Sequence, residues 1–155
     1  VTEKQSSIYR TFEANQFFTA LPYMCGVLDD MLAMCTPDGW GEYYNFKAKE
    51  VPKSLIENEK AFQGIRHPFK AGILRMDPYT VYNWHTDDKR KMSINMLLSH
   101  GHSHCLFTTK QGVNIPVTEL PYEIGRYYIL NTKMPHMVIN LEKPRYMFSV
   151  EFLDD

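Results

Sequence analysis

The chain has 155 residues, a formal net charge of −1 with acidic and basic residues interspersed, and 44% apolar residues. That length most simply makes one domain, residues 1–155, with about two-thirds of its unfolded surface buried around one core, while the balanced charge excludes a broad basic face for a nucleic-acid backbone. Three cysteines without a Cys-x-x-Cys pair exclude a disulfide framework and suit a reducing, cytoplasmic setting, and no stretch approaches the ~20 apolar residues that span a bilayer, so no membrane partner is expected.

Residues 1–66 read as a mostly helical buttress. Between Thr11 and Cys35, Phe17, Leu21, Met24, Val27, Leu28, Met31 and Leu32 recur at spacings of three and four, the helical period. Pro22 splits the region, and Pro37, Gly39 and Gly41 end it. Trp40, Tyr43, Tyr44 and Phe46 either pack helix on sheet or form a substrate-facing wall. A second short helix is expected over Ser54–Phe62, after Pro52, and His67 before Pro68 reads as a linker residue.

Residues 67–155 change texture to short β-branched and aromatic runs separated by turn residues. Eight strands are predicted: Phe69–Met76, Tyr79–His85, Met92–Leu98, His104–Thr109, Val113–Val117, Arg126–Asn131, His136–Leu141 and Arg145–Phe152. Eight short strands in under ninety residues suit a double-sheet jelly roll that can hold a ligand between its sheets. The last two are expected to form a hairpin across Glu142, Lys143 and Pro144, with His136 facing Ser149 or Val150.

The chemistry sits on these strands. His85 and Asp87, two apart, project from one strand face toward a common point, and His136 opens a later strand. Two imidazoles and one carboxylate leave three octahedral positions open, the arrangement non-haem Fe(II) oxygenases use for O2 and a chelating co-substrate. In the hairpin register Arg145 lies four residues along the ladder, roughly 13 Å from the metal level at ~3.3 Å per residue. A five-carbon diacid chelating the metal and meeting an extended arginine spans that gap. Fe(II) with Asp87 carries one positive charge, so a bound dianion leaves a negative charge that the planar, bidentate Arg145 neutralises.

The tract Ser99-His100-Gly101-His102-Ser103-His104-Cys105 reads as a polar hairpin whose imidazoles face solvent, with His104 reaching substrate only if the loop folds over the pocket. The run Asp87-Asp88-Lys89-Arg90-Lys91 is a solvated turn, or a guide for an anionic substrate. Arg145 alone would also suit a surface pair with Glu142 or Glu151.

From about Gly72 to Phe152 the chain resembles the Fe(II)/2-oxoglutarate-dependent dioxygenases, in particular their prolyl hydroxylase and aspartyl/asparaginyl hydroxylase-like branches. The resemblance is carried by Asn83-Trp84-His85-Thr86-Asp87, Ser93-Ile94-Asn95-Met96-Leu97-Leu98, Gly125-Arg126-Tyr127-Tyr128-Ile129-Leu130-Asn131 and Pro135-His136-Met137-Val138-Ile139-Asn140, leading to Arg145-Tyr146-Met147-Phe148-Ser149-Val150. It implies a double-stranded β-helix with His85, Asp87 and His136 as iron ligands and Arg145 as salt-bridge partner of 2-oxoglutarate. Ser93, Asn95 and Leu97 would line the co-substrate pocket; Asn95, Ser149 and Tyr82 are the implied polar contacts. Met147 stands where some members carry serine, and Asp87 is present where the aspartyl hydroxylase branch can lack it. The implied reaction couples decarboxylation of 2-oxoglutarate by O2 to hydroxylation of an amino-acid side chain, on a small-molecule or peptide substrate. The competing readings are a non-oxidative metal cupin acting as isomerase or hydrolase, and a catalytically silent ligand-binding jelly roll.

Overall fold

The computed structural model describes residues 12–13, 15–44, 46–87 and 92–152. Its strands are β1 (Phe18–Met24), β2 (Gly41–Tyr43), β3 (Phe46–Glu50), β4 (Phe69–Met76), β5 (Thr80–His85), β6 (Ser93–Ser99), β7 (Ser103–Phe107), β8 (Thr118–Glu119), β9 (Arg126–Leu130), β10 (His136–Asn140) and β11 (Arg145–Phe152). Helices α1 (Leu28–Ala33) and α2 (Lys53–Ile56) and a 3-10 turn (Lys60–Phe62) complete it. A seven-stranded sheet runs β1-β9-β6-β11-β4-β3-β2 and faces a four-stranded sheet, β5-β10-β7-β8. Every strand pair is antiparallel. The fold is a mainly β double-stranded β-helix. No helix among the described residues is long and apolar enough to cross a membrane.

Strand β11 shows how the sequence builds both layers. Tyr146, Phe148, Val150 and Phe152 join the large core cluster with Met31, Ile56 and Phe62 of the helical segments. Arg145, Met147, Ser149 and Glu151, on the opposite face, line a cavity between the sheets. This is the period-2 alternation of a strand buried on both sides. Strand β6 repeats it, with Ile94, Met96 and Leu98 in the core and Ser93 and Asn95 in the cavity.

The first third departs from the helical expectation. Residues 18–24 form an edge strand paired with β9 from Phe18↔Leu130 to Met24↔Arg126, and β2 and β3 extend the opposite edge. Exposure alternates along 20–25 with period two, and Pro22 falls in the stretch where the register shifts. Edge strands tolerate proline because its missing N–H costs no ladder bond. Only Leu28–Ala33 is helical there. The expected helix over 54–62 is broken because Glu59 is extended, its Oε1 accepting the Gly26 N–H at 2.8 Å and the Tyr127 hydroxyl at 2.9 Å.

Two smaller expectations also change. Residues 113–117 are not a strand: Val113 and Val117 are exposed, the Thr108 hydroxyl contacts the Lys110 and Pro116 carbonyls, and pairing resumes at Thr118–Glu119. His67 is buried against the Phe152 ring rather than lying in a linker.

The hairpin between the last two strands is absent too. His136 faces His85 and Phe107 in the small sheet, whereas Ser149 faces Asn95 and Gly72 in the large one. Residues 141–144 therefore form a corner between sheets, and Asn140, 0% exposed, secures it. Its Nδ2 donates to the carbonyls of Met76, Asp77 and Lys143 at 3.2, 2.9 and 2.9 Å. Asn140→Ala leaves these carbonyls without that donor and is expected to cost about 2–3 kcal/mol. Urea denaturation checks this, and an unchanged midpoint would mean that the corner is held by other contacts.

Candidate active site

His85 closes β5 and His136 opens β10, and the two are directly paired across the ladder. Each ring's Nδ1 meets a carbonyl two residues upstream, Asn83 O at 2.7 Å and Met134 O at 2.8 Å. A carbonyl only accepts, so Nδ1 carries the proton and Nε2 of the neutral ring keeps its lone pair. Beyond β5 the Asp87 N–H donates to Thr132 O at 3.0 Å, fixing where the carboxylate stands. Asp87 Oδ1 is then 3.5 Å from His85 Nε2 and 3.7 Å from His136 Nε2.

The three donor atoms lie within 4.8 Å of one another. Two imidazole nitrogens and a carboxylate oxygen thus converge on one point, where a divalent cation would meet all three. The donor set fits a first-row metal with open positions, and the Nδ1 bonds are the outer contacts that fix ligand tautomer and orientation. Tyr82 stacks on His85 with ring centroids 3.9 Å apart, and Phe46 packs on Tyr82 at 4.8 Å.

All seven residues singled out in the sequence, His85, Asp87, His136, Arg145, Asn95, Ser149 and Tyr82, line one cavity of about 480 Å³. Arg145 is 5% exposed, and its Nε donates to Ser103 Oγ at 3.2 Å. No carboxylate among the described residues forms an ion pair with it: Glu142 pairs with His102, and Glu151 accepts from Tyr43. Ser103 faces Asn140 across the β7–β10 ladder, so the guanidinium stands four residues from His136. At ~3.3 Å per residue that is roughly 13 Å, reached by a different route from the expected hairpin.

A donor relay runs beside Arg145. The Ser149 hydroxyl donates to Asn95 Oδ1 at 2.8 Å, and Asn95 Nδ2 donates to the Tyr122 oxygen at 3.2 Å. The Arg145 Cζ is 5.7 Å from the centre of the Tyr122 ring. Burial pushes the Tyr122 phenol well above its ordinary range, so its proton stays on to be donated. Burial likewise raises the Cys105 thiol to about 11, leaving a neutral wall. Arg145 is thus a formal cation among neutral donors.

Tyr43, Tyr44 and Phe46 line the cavity, whereas Trp40 stacks on Tyr146 beneath the Lys49 ammonium. Leu97 is buried without lining it. His102 and His104 are exposed and paired with Glu142 and Glu119, and His100 contacts Ser103, so the three imidazoles of the tract do not line the cavity, whereas its Cys105 does. Lys89, Arg90 and Lys91 fall outside the described residues. Glu151, Tyr122, Thr132 and Ser103 line or adjoin the site without having been singled out. Strand alternation from Arg145 leads to Glu151, but Tyr122, after Pro121 in an irregular segment, carries no sequence signal.

The double-stranded β-helix that positions His85, Asp87 and His136 is a fold shared with solved Fe(II)/2-oxoglutarate oxygenases. No protein-family model matches the chain, and no curated protein sequence matches it. Among solved structures it is similar to a Pseudomonas putida prolyl-4-hydroxylase, with TM-score 0.64 and 14% identity over 92% of this chain and 95% of that one. A Burkholderia pseudomallei oxidoreductase of the 2OG-Fe(II) oxygenase family gives 0.67 and 12% over 96% and 89%. A Trichoplax adhaerens prolyl hydroxylase, solved with a hypoxia inducible factor peptide fragment, gives 0.65 and 13% over 99% and 94%.

Proposed function

We propose that the protein is an Fe(II)- and 2-oxoglutarate-dependent oxygenase that hydroxylates an amino-acid side chain, free or within a peptide, with the chain acting as one catalytic domain. The observation that carries this reading is the buried Arg145, without a carboxylate partner among the described residues, in the same cavity as the His85–Asp87–His136 cluster. A metal centre with no dicarboxylate to bind has no use for a desolvated guanidinium at that distance.

His85, Asp87 and His136 would hold iron, which when bound supplies the coupling of 2-oxoglutarate decarboxylation by O2 to substrate hydroxylation. Arg145 takes the far carboxylate through its planar fork. The Ser149–Asn95 relay turns the Tyr122 hydroxyl into a second donor for that carboxylate. It supplies the polar anchor missing at Met147, which instead gives the cavity an apolar side. Tyr82, stacked on His85, holds that ring against rotation and screens it from water. Support for a small-molecule or peptide substrate comes from Tyr43, Tyr44 and Phe46 of the β2–β3 hairpin, which line the same cavity as the three candidate ligands.

Anaerobic addition of Fe(II) and then 2-oxoglutarate is expected to produce the visible absorption band of the chelate. Admission of O2 should then give succinate at a rate that substrate raises. Metal binding without metal-dependent 2-oxoglutarate binding would overturn the proposal in favour of a non-oxidative cupin, and a chelate that consumes no O2 would mark a silent binding module.

A further inference from the structure

We infer that the mouth of the cavity selects a substrate side chain bearing an ammonium or guanidinium group, with Glu151 as its counter-charge and Tyr43, Phe46 and Tyr82 as its aromatic wall. The inference rests on the oxygenase reading for its charge balance and on the geometry of β11 for its placement.

Arg145 and Glu151 project from the same face of β11, six residues apart, which is roughly 20 Å at ~3.3 Å per residue. One strand thus sets a cation at one end of the cavity and a carboxylate at the other. Glu151 stands toward the metal-binding end. It pairs with Ser93, which pairs in turn with Leu130, and two residues beyond Leu130 the Thr132 carbonyl holds Asp87. Glu151 Oε2 accepts the Tyr43 hydroxyl at 2.5 Å. No cation among the described residues forms an ion pair with it, although Lys70 is its ladder partner on β4.

Among the described residues that line the cavity, charge leaves a remainder that a cationic ligand would cancel. A divalent ion with Asp87 is +1, a dicarboxylate −2 and Arg145 +1, so those groups balance. Glu151 then adds an unbalanced negative charge to a partly desolvated site, and a cationic substrate group restores neutrality. The neighbouring surface suits the same ligand. Phe46 packs on Tyr82 at 4.8 Å, Tyr82 on His85 at 3.9 Å and Tyr43 on Tyr44 at 4.7 Å, so aromatic faces run from the metal-binding histidine to the hairpin. Cations bind such faces, more strongly where water is excluded.

The test uses the full chain and four probes: the N-acetyl amides of L-lysine, L-arginine, L-norleucine and L-glutamate. Binding is measured by calorimetry on the metal-free protein, then by probe-stimulated succinate formation with Fe(II) and 2-oxoglutarate. The lysine and arginine probes are expected to bind at least tenfold more tightly than norleucine. Glu151→Gln keeps an acceptor for Tyr43 and should abolish that preference, while Glu151→Lys should turn it toward the glutamate probe. If neither variant folds, Phe46→Leu, which removes a ring and no charge, should weaken the lysine probe severalfold and leave norleucine unchanged. Equal binding of lysine and norleucine, or a preference that survives Glu151→Gln, overturns the inference. Cation preference without a 2-oxoglutarate chelate sinks the oxygenase reading alone; a chelate without cation preference sinks only this one.

Discussion

Asp87→Ala is expected to eliminate succinate formation and to lower Fe(II) affinity by more than about 100-fold, since even the outer contacts of a metal site are worth ~10–100-fold. The carboxylate is the sole anionic member of the three-residue cluster, and it is fixed by the Asp87 N–H bond to Thr132 rather than by the strand itself. Alanine keeps that backbone bond, so the loss should appear in the site and not in the fold. Calorimetric Fe(II) titration under argon, with circular dichroism for the fold, separates the two. Retention of succinate formation by the variant would place the metal elsewhere.

Arg145→Leu carries the second large effect, with opposite signs for function and stability. Truncating one member of a buried charge pair costs about 2–5 kcal/mol of binding, so 2-oxoglutarate affinity should fall by about 30-fold or more while Fe(II) affinity holds. Free of ligand, however, the wild-type protein buries a guanidinium whose single described hydrogen bond goes to Ser103. Leucine removes that desolvated charge, so the ligand-free variant should be as stable as the parent or more so. The measurement is a pair of urea titrations with and without 2-oxoglutarate and Mn(II). The ligand should stabilise the wild type and leave the variant where it was; equal stabilisation of both would dissociate Arg145 from the diacid.

The strands of the barrel were legible because their period is two and their ends are marked. Phe69–Met76 and Arg145–Phe152 fall where the alternation of apolar residues and the flanking turn residues put them. Residues 18–24 were not, because leucine, tyrosine and methionine around a proline satisfy a helical spacing as well as a strand's. Pairing with β9, a contact more than a hundred residues away in sequence, decides between them. Glu59 illustrates the same limit, its long-range bonds to Gly26 and Tyr127 breaking a segment whose local preference is helical.

The expected separation of Arg145 from His136 rested on a hairpin that the structure does not have. A hairpin and a corner between sheets differ in which strand faces which, and here Arg145 meets the small sheet through Ser103, the ladder partner of Asn140 on β10. Asn140, whose amide makes the corner, looks in the sequence like any strand asparagine.

The inward face of β11 has a consequence for how this protein can change. Arginine, methionine, serine and glutamate occupy every second place from 145 to 151, so side-chain identity there is a set of separable choices, whereas chain length is not. Losing or gaining one residue within that stretch would turn the residues on one side of the change to the opposite face, so that the guanidinium and the carboxylate no longer share the chamber and core residues enter it. In lineages descending from this sequence each side chain along that face can change by itself, with its own effect on the chamber, whereas adding or dropping a residue alters several at once.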